Sequence, residues 1–238
     1  VDNPDLIPIN LGFVNVYYLR GAGGGVLVDT GTPGSQNRIL EVLNQHNVEP
    51  NDIRCIVITH AHADHYGSLA ALREVTGAPV LASRRAAEFI RLGRSEPVVP
   101  SGCLLRSGFA VMNVLGRVSK RVKALFDPEL SPVDVDIVID DVYDLARFGI
   151  VGKLLPTPGH TYGSLSVVLD AGDAIIGDSL MALGRGARVA LAESQLALGE
   201  SLARILALSP ERIYLSHGKV YTREDIRRVY ERNFGRSR

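Results

Sequence analysis

Apolar residues follow two rhythms along this chain. Short runs rich in Val, Ile, Leu and Tyr alternate with segments whose apolar positions recur every three or four residues, which predicts strands alternating with helices. The opening "INLGFVNVYYLRGAGGGVLVDTG" reads as two β-rich runs joined by a glycine turn at Gly21 to Gly25, a hairpin at a sheet edge. Ser35, a good N-cap residue, precedes "QNRILEVLNQHNV", where Ile39, Leu40 and Leu43 have helical spacing. "IRCIVITH" is a short β-branched run; "HYGSLAALREVTG" returns to the helical period through Leu69, Leu72 and Val75 and closes on Gly77; "APVLAS" is another strand. Late in the chain "GKLLPTP", "SLSVVLD", "DAIIGDS" and "RIYLSH" predict strands, with one helix from about Glu193 to Leu208 and a last one opened by Thr222 with Glu224 and Asp225 in its first turn. The alternation implies an α/β architecture.

The middle of the chain breaks this pattern. Val111, Leu115, Val118, Val122 and Leu125 recur in steps of four and three, an apolar seam along one helix face. Around that seam, residues 97 to 126 hold no acidic side chain but Arg106, Arg117, Lys120, Arg121 and Lys123, whereas 127 to 144 hold seven acidic residues and no Lys or Arg. Residues 84–143 are therefore expected to form an inserted helical cap within a single domain spanning 1–238. It would serve as a lid carrying Arg106 or Arg117 toward an anion, as a homodimer seam, or as a buttress, with the acidic block offsetting the basic helix.

Composition narrows the class without naming a function. A chain of 238 residues with 46% hydrophobic content has ample material for a core. Twenty-six basic residues balance 26 acidic ones, so nothing in the whole chain draws it toward nucleic acid or anionic lipid. No apolar run reaches the roughly 18 residues of a membrane span, and "VDNPDLIPIN" has no basic or apolar leader pattern, so a cytoplasmic protein acting on a small molecule is expected. Cys55 and Cys103 lack any ligand or redox spacing, and Cys55 inside its β-branched run reads as a small buried hydrophobe.

The chemistry sits in "VITHAHADHYGS". Half of the six histidines, His60, His62 and His65, share this stretch with Asp64. At the end of a strand, residues two apart project the same way, so His60 and His62 can meet one ion, and Asp64 and His65, at the entry to the next helix, can reach a second. Imidazole with carboxylate is the donor set of zinc, iron or manganese. Every other histidine except His46 closes an apolar run: His160 in "LLPTPGHTYGS" and His217 in "IYLSHGK"; Asp178 in "AIIGDSL" is placed alike. Ends of strands are where sites assemble in open α/β sheets, so three more ligands from three more ends form a coherent set. His46 reads as a solvated helix end.

"THAHADH", "PGHTYGS", "GDS", "SHG" and the earlier "VDTG" together resemble, in that order, the metallo-β-lactamase superfamily. The resemblance covers nearly the whole chain except the cap and implies an αββα sandwich with a site for two divalent metal ions, zinc first, with iron or manganese as alternatives. It further implies that His60, His62 and His160 hold one ion, that Asp64, His65 and His217 hold the other, that Asp178 bridges them, and that Asp29 in "VLVDTG" orients ligands from behind. An aspartate closing the turn before Gly31 is the plainer reading of Asp29. Thr59 and Ser216 adjoin ligands and are further supporting candidates. The implied activity is hydrolysis of an ester, thioester, lactone or phosphoester by a hydroxide shared between the ions, with Asp64 also orienting it or passing a proton. Asp178 argues against the antibiotic-cleaving branch, which typically lacks that aspartate, and in favour of glyoxalase II-like or lactonase-like enzymes. Lactonases carry a Tyr where this chain has Met181, and Tyr162 is the candidate to stand in. Two other readings are a mononuclear-iron oxidoreductase of the persulfide dioxygenase type and a non-catalytic metal-binding protein.

Overall fold

A computed structural model describes residues 5–101, 129–183 and 186–235. In chain order the first sheet comprises β1 (Asp5–Asn10), β2 (Asn15–Gly21), β3 (Gly24–Val28), β4 (Ile53–Val57), β5 (Val80–Ser83) and β6 (Ile137–Ile139), paired in that same order. Its first three strands run antiparallel, with the predicted glycine turn between β2 and β3; β3 to β6 are parallel. The second sheet holds β7 (Tyr143–Asp144), β8 (Gly152–Pro156), β9 (Leu165–Leu169), β10 (Asp173–Ile175), β13 (Arg212–Tyr214) and β14 (Val220–Thr222), in the spatial order β14-β13-β10-β9-β8-β7. A small hairpin, β11 (Met181–Leu183) and β12 (Gly186–Arg188), lies between them in sequence.

The helices are α1 (Gln36–Gln45), α2 (Ala63–Tyr66), α3 (Leu69–Thr76), α4 (Arg84–Arg91), α5 (Gln195–Ala207) and α6 (Arg223–Phe234). Period-two alternation sorts side chains into three apolar layers. On β2, Val16 and Tyr18 pack with Ile39 and Leu43 of α1 and Leu69 and Leu72 of α3, while Tyr17 and Leu19 join Val26, Val57, Leu81, Leu154, Leu165 and Val167 between the sheets. Val168 and Ile213 turn the other way, against Leu198, Leu202 and Ile205 of α5 and Ile226 and Val229 of α6. This is the αββα sandwich, with every sheet face covered. Cys55 is a free thiol buried in the middle layer, where burial pushes its pKa up, in keeping with a structural thiol. Among the described residues, no helix is long and apolar enough to cross a membrane.

Three expectations change in the fold. The cap does not begin at 84: α4 buries Ala86 and Ile90 in the first core layer, and β6 completes the first sheet, so the described flanks of 84–143 belong to the sandwich. The seam from Val111 to Leu125, with Cys103, Arg106 and Arg117, lies outside the described residues. Within the acidic block, Asp136 pairs with Arg73 of α3 and Asp140 with Arg84 of α4, and the basic segment that the block was expected to offset lies outside the described residues. Ser35 takes the N-cap position of α1 without the bond, because its backbone is already helical. The helix expected over 65–77 is split, α2 ending at Tyr66 and α3 starting at Leu69, because Gly67 and Ser68 pack against Pro33 and Thr32.

Candidate metal centre

β4 ends at Val57, so His60 and His62 stand on the loop beyond the strand rather than on its last residues. They converge through that loop's path instead of strand alternation. Asp64 and His65 follow in α2, His160 lies between β8 and β9, Asp178 after β10 and His217 after β13. Each therefore follows the C-terminal end of a strand, and the two sheets deliver their ligands to one edge of the sandwich. Two glycines make this approach possible. At Gly159 (φ +147°) a Cβ would lie 2.3 Å from Leu198 Cα, so only glycine lets the turn before His160 lie on α5. Gly177 (φ +54°) makes the left-handed step that turns the chain into Asp178.

Seven donor side chains assemble in two groups, His60, His62, His160 and Asp178, and Asp64, His65 and His217. His60 Nε2, His62 Nδ1 and His160 Nε2 form a triangle with sides of 3.0, 3.1 and 3.1 Å. Asp178 reaches both groups: Oδ2 is 3.7 Å from His160 Nε2 and 3.3 Å from His217 Nε2, and Oδ1 is 3.5 Å from His65 Nε2. Asp64 Oδ2 is 3.2 Å from His217 Nε2. Despite these distances His65 Nε2, His217 Nε2 and Asp178 Oδ1 are buried without an aligned hydrogen bond among the described residues. Buried polar atoms left in that state are costly unless something else completes them.

The far side of each ring shows what they are arranged for. His65 Nδ1 lies 2.8 Å from Asp29 Oδ2, His217 Nδ1 2.8 Å from the Phe13 carbonyl and His160 Nδ1 3.2 Å from the Leu191 carbonyl. The Thr59 hydroxyl donates to Asp29 Oδ2 and therefore accepts, at 3.1 Å, from His60 Nδ1. His62 turns the other way, its Nε2 3.5 Å from the Pro97 carbonyl. A neutral ring whose outer N–H is held by an oxygen presents a lone pair inward, so the outer acceptors favour the tautomer suited to ligation. Asp29 itself sits at φ 64°, a left-handed conformation that Asp tolerates, with Oδ1 accepting from the Thr59 amide. The donor set and its orphaned atoms fit divalent metal, as the sequence led one to expect.

Charge divides the two groups. Burial, reinforced by neighbouring imidazoles, holds His60 well below its usual value and His62 at about 3; burial also lowers His160, so this trio is neutral. Burial works against the charge on His65 and His217 as well, but Asp178 and the other carboxylates outweigh it, raising His65 and bringing His217 to about 10. Asp178 is correspondingly held well below its usual range, burial being overcome by His217 and His65, and Asp64 falls to about 2 for the same reasons.

The remaining candidates are scattered. Tyr162 is 56% exposed and its ring lies under the Arg85 guanidinium, 5.5 Å away. Met181 is buried on β11, whose next residue, Ala182, donates its amide to the His217 carbonyl. Arg106 and Arg117 lie outside the described residues. Ser216 is buried with no partner for its hydroxyl among the described residues, and His46 caps the exposed end of α1. The sequence reading missed the carbonyls of Phe13, Leu191 and Pro97, since a backbone acceptor leaves no residue signature. It also missed Glu96, whose buried carboxylate accepts from the Ala61 amide at 2.8 Å. A charged residue in the otherwise uncharged run "SEPVVP" was the available signal.

Comparison with known proteins agrees with this architecture. The family model described as the metallo-beta-lactamase superfamily matches residues 9–217. A probable metallo-hydrolase of Methanocaldococcus jannaschii is 24% identical over 214 residues, covering 88% of this chain and 90% of that protein. The hydroxyacylglutathione hydrolase of Pseudomonas aeruginosa is 27% identical over 175 residues, 72% of this chain but 49% of the relative. Among solved structures, a metallo-beta-lactamase superfamily protein of Sulfolobus tokodaii superposes with a TM-score of 0.66 at 22% identity, covering 98% of this chain and 86% of that one.

Proposed function

The chain belongs to the metallo-β-lactamase superfamily, and from that premise we propose that it is a dinuclear metal-dependent hydrolase acting on an ester, thioester, lactone or phosphoester. The observation that carries this reading is Asp178, whose Oδ2 lies near His160 of one ligand group and His217 of the other while Oδ1 faces His65, toward rings whose outer nitrogens are held from behind. His60, His62, His160 and Asp178 would hold one divalent ion, and Asp64, His65 and His217, with Asp178 shared, the other. Zinc suits the donors, as do iron and manganese. When bound, such ions would supply Lewis acidity, polarising an acyl or phosphoryl oxygen and lowering the pKa of water toward about 7.

The protein's own contribution is positional. Asp29, Thr59 and the Phe13 and Leu191 carbonyls engage the outer ring nitrogens, so the inner nitrogens are the ones left facing the site, and the rings that carry a second proton, His65 and His217, would release it when an ion binds. Asp64 is the group placed to handle a proton. Its side chain is 25% exposed against 3% for Asp178, so it alone of the two carboxylates borders the solvent side where substrate enters. It orients the attacking water and passes the proton to the leaving group, a role worth roughly 10²–10⁴-fold in rate. The thioester option draws support from the hydroxyacylglutathione hydrolase relative. The test is metal analysis of purified protein together with an ester, thioester, lactone and phosphodiester panel, with and without chelator. Two ions per chain and chelator-sensitive turnover are expected, with D64A keeping an ion while losing rate in the range above. One iron per chain, oxygen uptake with a persulfide and inertness toward the panel would overturn the proposal.

A further inference from the structure

The two loops that bring the neutral imidazoles together are held to each other by a buried ionic bridge outside the ligand set. Arg85, in the first turn of α4, donates through Nε to Glu96 Oε1 at 3.0 Å and through Nη2 to Glu193 Oε1 at 2.7 Å. Both carboxylates are withdrawn from water: the Glu96 side chain is 0% exposed and that of Glu193 8%, while Arg85 retains 36%. Each carboxylate uses its second oxygen on a ligand loop. Glu96 Oε2 accepts from the amide of Ala61, the residue between His60 and His62, and the Glu96 amide donates back to the Ala61 carbonyl, both at 2.8 Å. Glu193 Oε2 accepts from the Tyr162 amide at 2.7 Å, and the Glu193 amide donates to the His160 carbonyl at 3.0 Å. The first turn of α4 is pinned to the same place by Ser83, whose hydroxyl donates to the Gly163 carbonyl at 2.6 Å, and Gly163 has no room for a Cβ, which would lie 2.9 Å from that hydroxyl.

We infer that Arg85, with Glu96 and Glu193, is a positioning clamp that fixes the spacing between the His60–His62 loop and the His160 loop, and hence the mouth of the first ion site. The inference rests on the metal-centre reading proposed above and adds residues to it. A bridge of three charges, two of them buried, is a poor source of net stability, because desolvation offsets most of the Coulomb gain. What it does supply is direction. A guanidinium fork holds two carboxylates at fixed angles, and each carboxylate fixes a backbone amide one or two residues from a ligand. No residue of the clamp touches the ligand atoms, so it acts through the loops alone.

The experiment compares wild type with R85Q, E96Q, R85K and the control R84Q. Arg84 sits on the same helix but pairs with exposed Asp140, away from the loops. Metal-free protein is titrated with zinc against a chromophoric chelator and with cobalt, followed by its ligand-field spectrum. R85Q and E96Q should weaken one of the bound ions about 10- to 100-fold and shift its cobalt bands, while the other ion and R84Q keep wild-type behaviour. R85K, with a point charge that cannot serve both carboxylates as a fork, should fall between. It also serves as the informative variant if E96Q does not fold. Thermal melting of the metal-free forms separates a purely structural role, which would lower the midpoint without dividing the two affinities. Wild-type protein that takes up no ion overturns the metal-centre reading and the clamp with it. Wild-type uptake matched by R85Q and R85K in affinity and spectrum overturns the clamp alone.

Discussion

At the scale of single residues, the work of this site is done as much behind the ligands as in front of them. Asp29 shows why. Its Oδ2 faces both the Thr59 hydroxyl and His65 Nδ1 at 2.8 Å, so one carboxylate oxygen sets the proton on His65 directly and that on His60 through Thr59. In D29N an amide nitrogen at that place would turn His65 into the acceptor and send its proton to Nε2, toward the ion. Chelator competition is therefore expected to show about 10- to 100-fold weaker binding of one ion with little change in size or fold. The candidate ligands were legible in the chain because histidine is rare in it and half of its histidines crowd with Asp64 into one short stretch. Their supporters were legible only where they are side chains in the same motif. Asp29 and Thr59 stand in or beside quoted motifs, whereas the Phe13 carbonyl, 204 positions from His217, has no counterpart in any local pattern.

At the scale of elements, local rules predicted best where the element's ends obey local chemistry. Helix α6 opens on Thr222, whose hydroxyl accepts from the Asp225 amide at 3.2 Å while Asp225 Oδ2 accepts from the Thr222 amide at 3.1 Å, a reciprocal cap readable as Thr-x-x-Asp. T222A should lower stability by about 1 kcal/mol in urea unfolding. The bonds from Thr222 hold the Asp225 carboxyl below the usual range of an aspartate, so the cap's contribution is complete above that range and is lost as pH falls through the lower folded value. Unfolding curves for the two proteins should keep a constant separation above that range and draw together below it. Elements whose ends depend on distant packing were misjudged. α4 has good helical periodicity, but nothing in its own residues says that Ile90 packs into the first core layer rather than into a cap. The strand containing Cys55 likewise ends at Val57 rather than His60, because β5 pairs only as far as Val57 and the chain then turns toward α2.

At the scale of the whole molecule, the candidate site lies where the two sheets meet: β4 belongs to one, β8, β10 and β13 to the other, and an ion bound between their ends would link both halves. Ions that bind the folded chain alone stabilise it by mass action, about 2.7 kcal/mol for each at a hundred times its dissociation constant. Calorimetric scans of metal-free protein should show the midpoint rising with added zinc and falling back with chelator; a midpoint indifferent to both would oppose a shared site. The sequence by itself determined the layers, because burial with period two or period three to four is a property of neighbours along the chain, and it marked which side chains could hold a metal, because that depends on residue type. Only the tertiary structure decided which nitrogen of each ring faces inward, that Asp178 looks toward both groups, and that Glu96 and Glu193 answer to one arginine. Those facts depend on distances between segments up to 204 positions apart, and no local periodicity encodes such a distance.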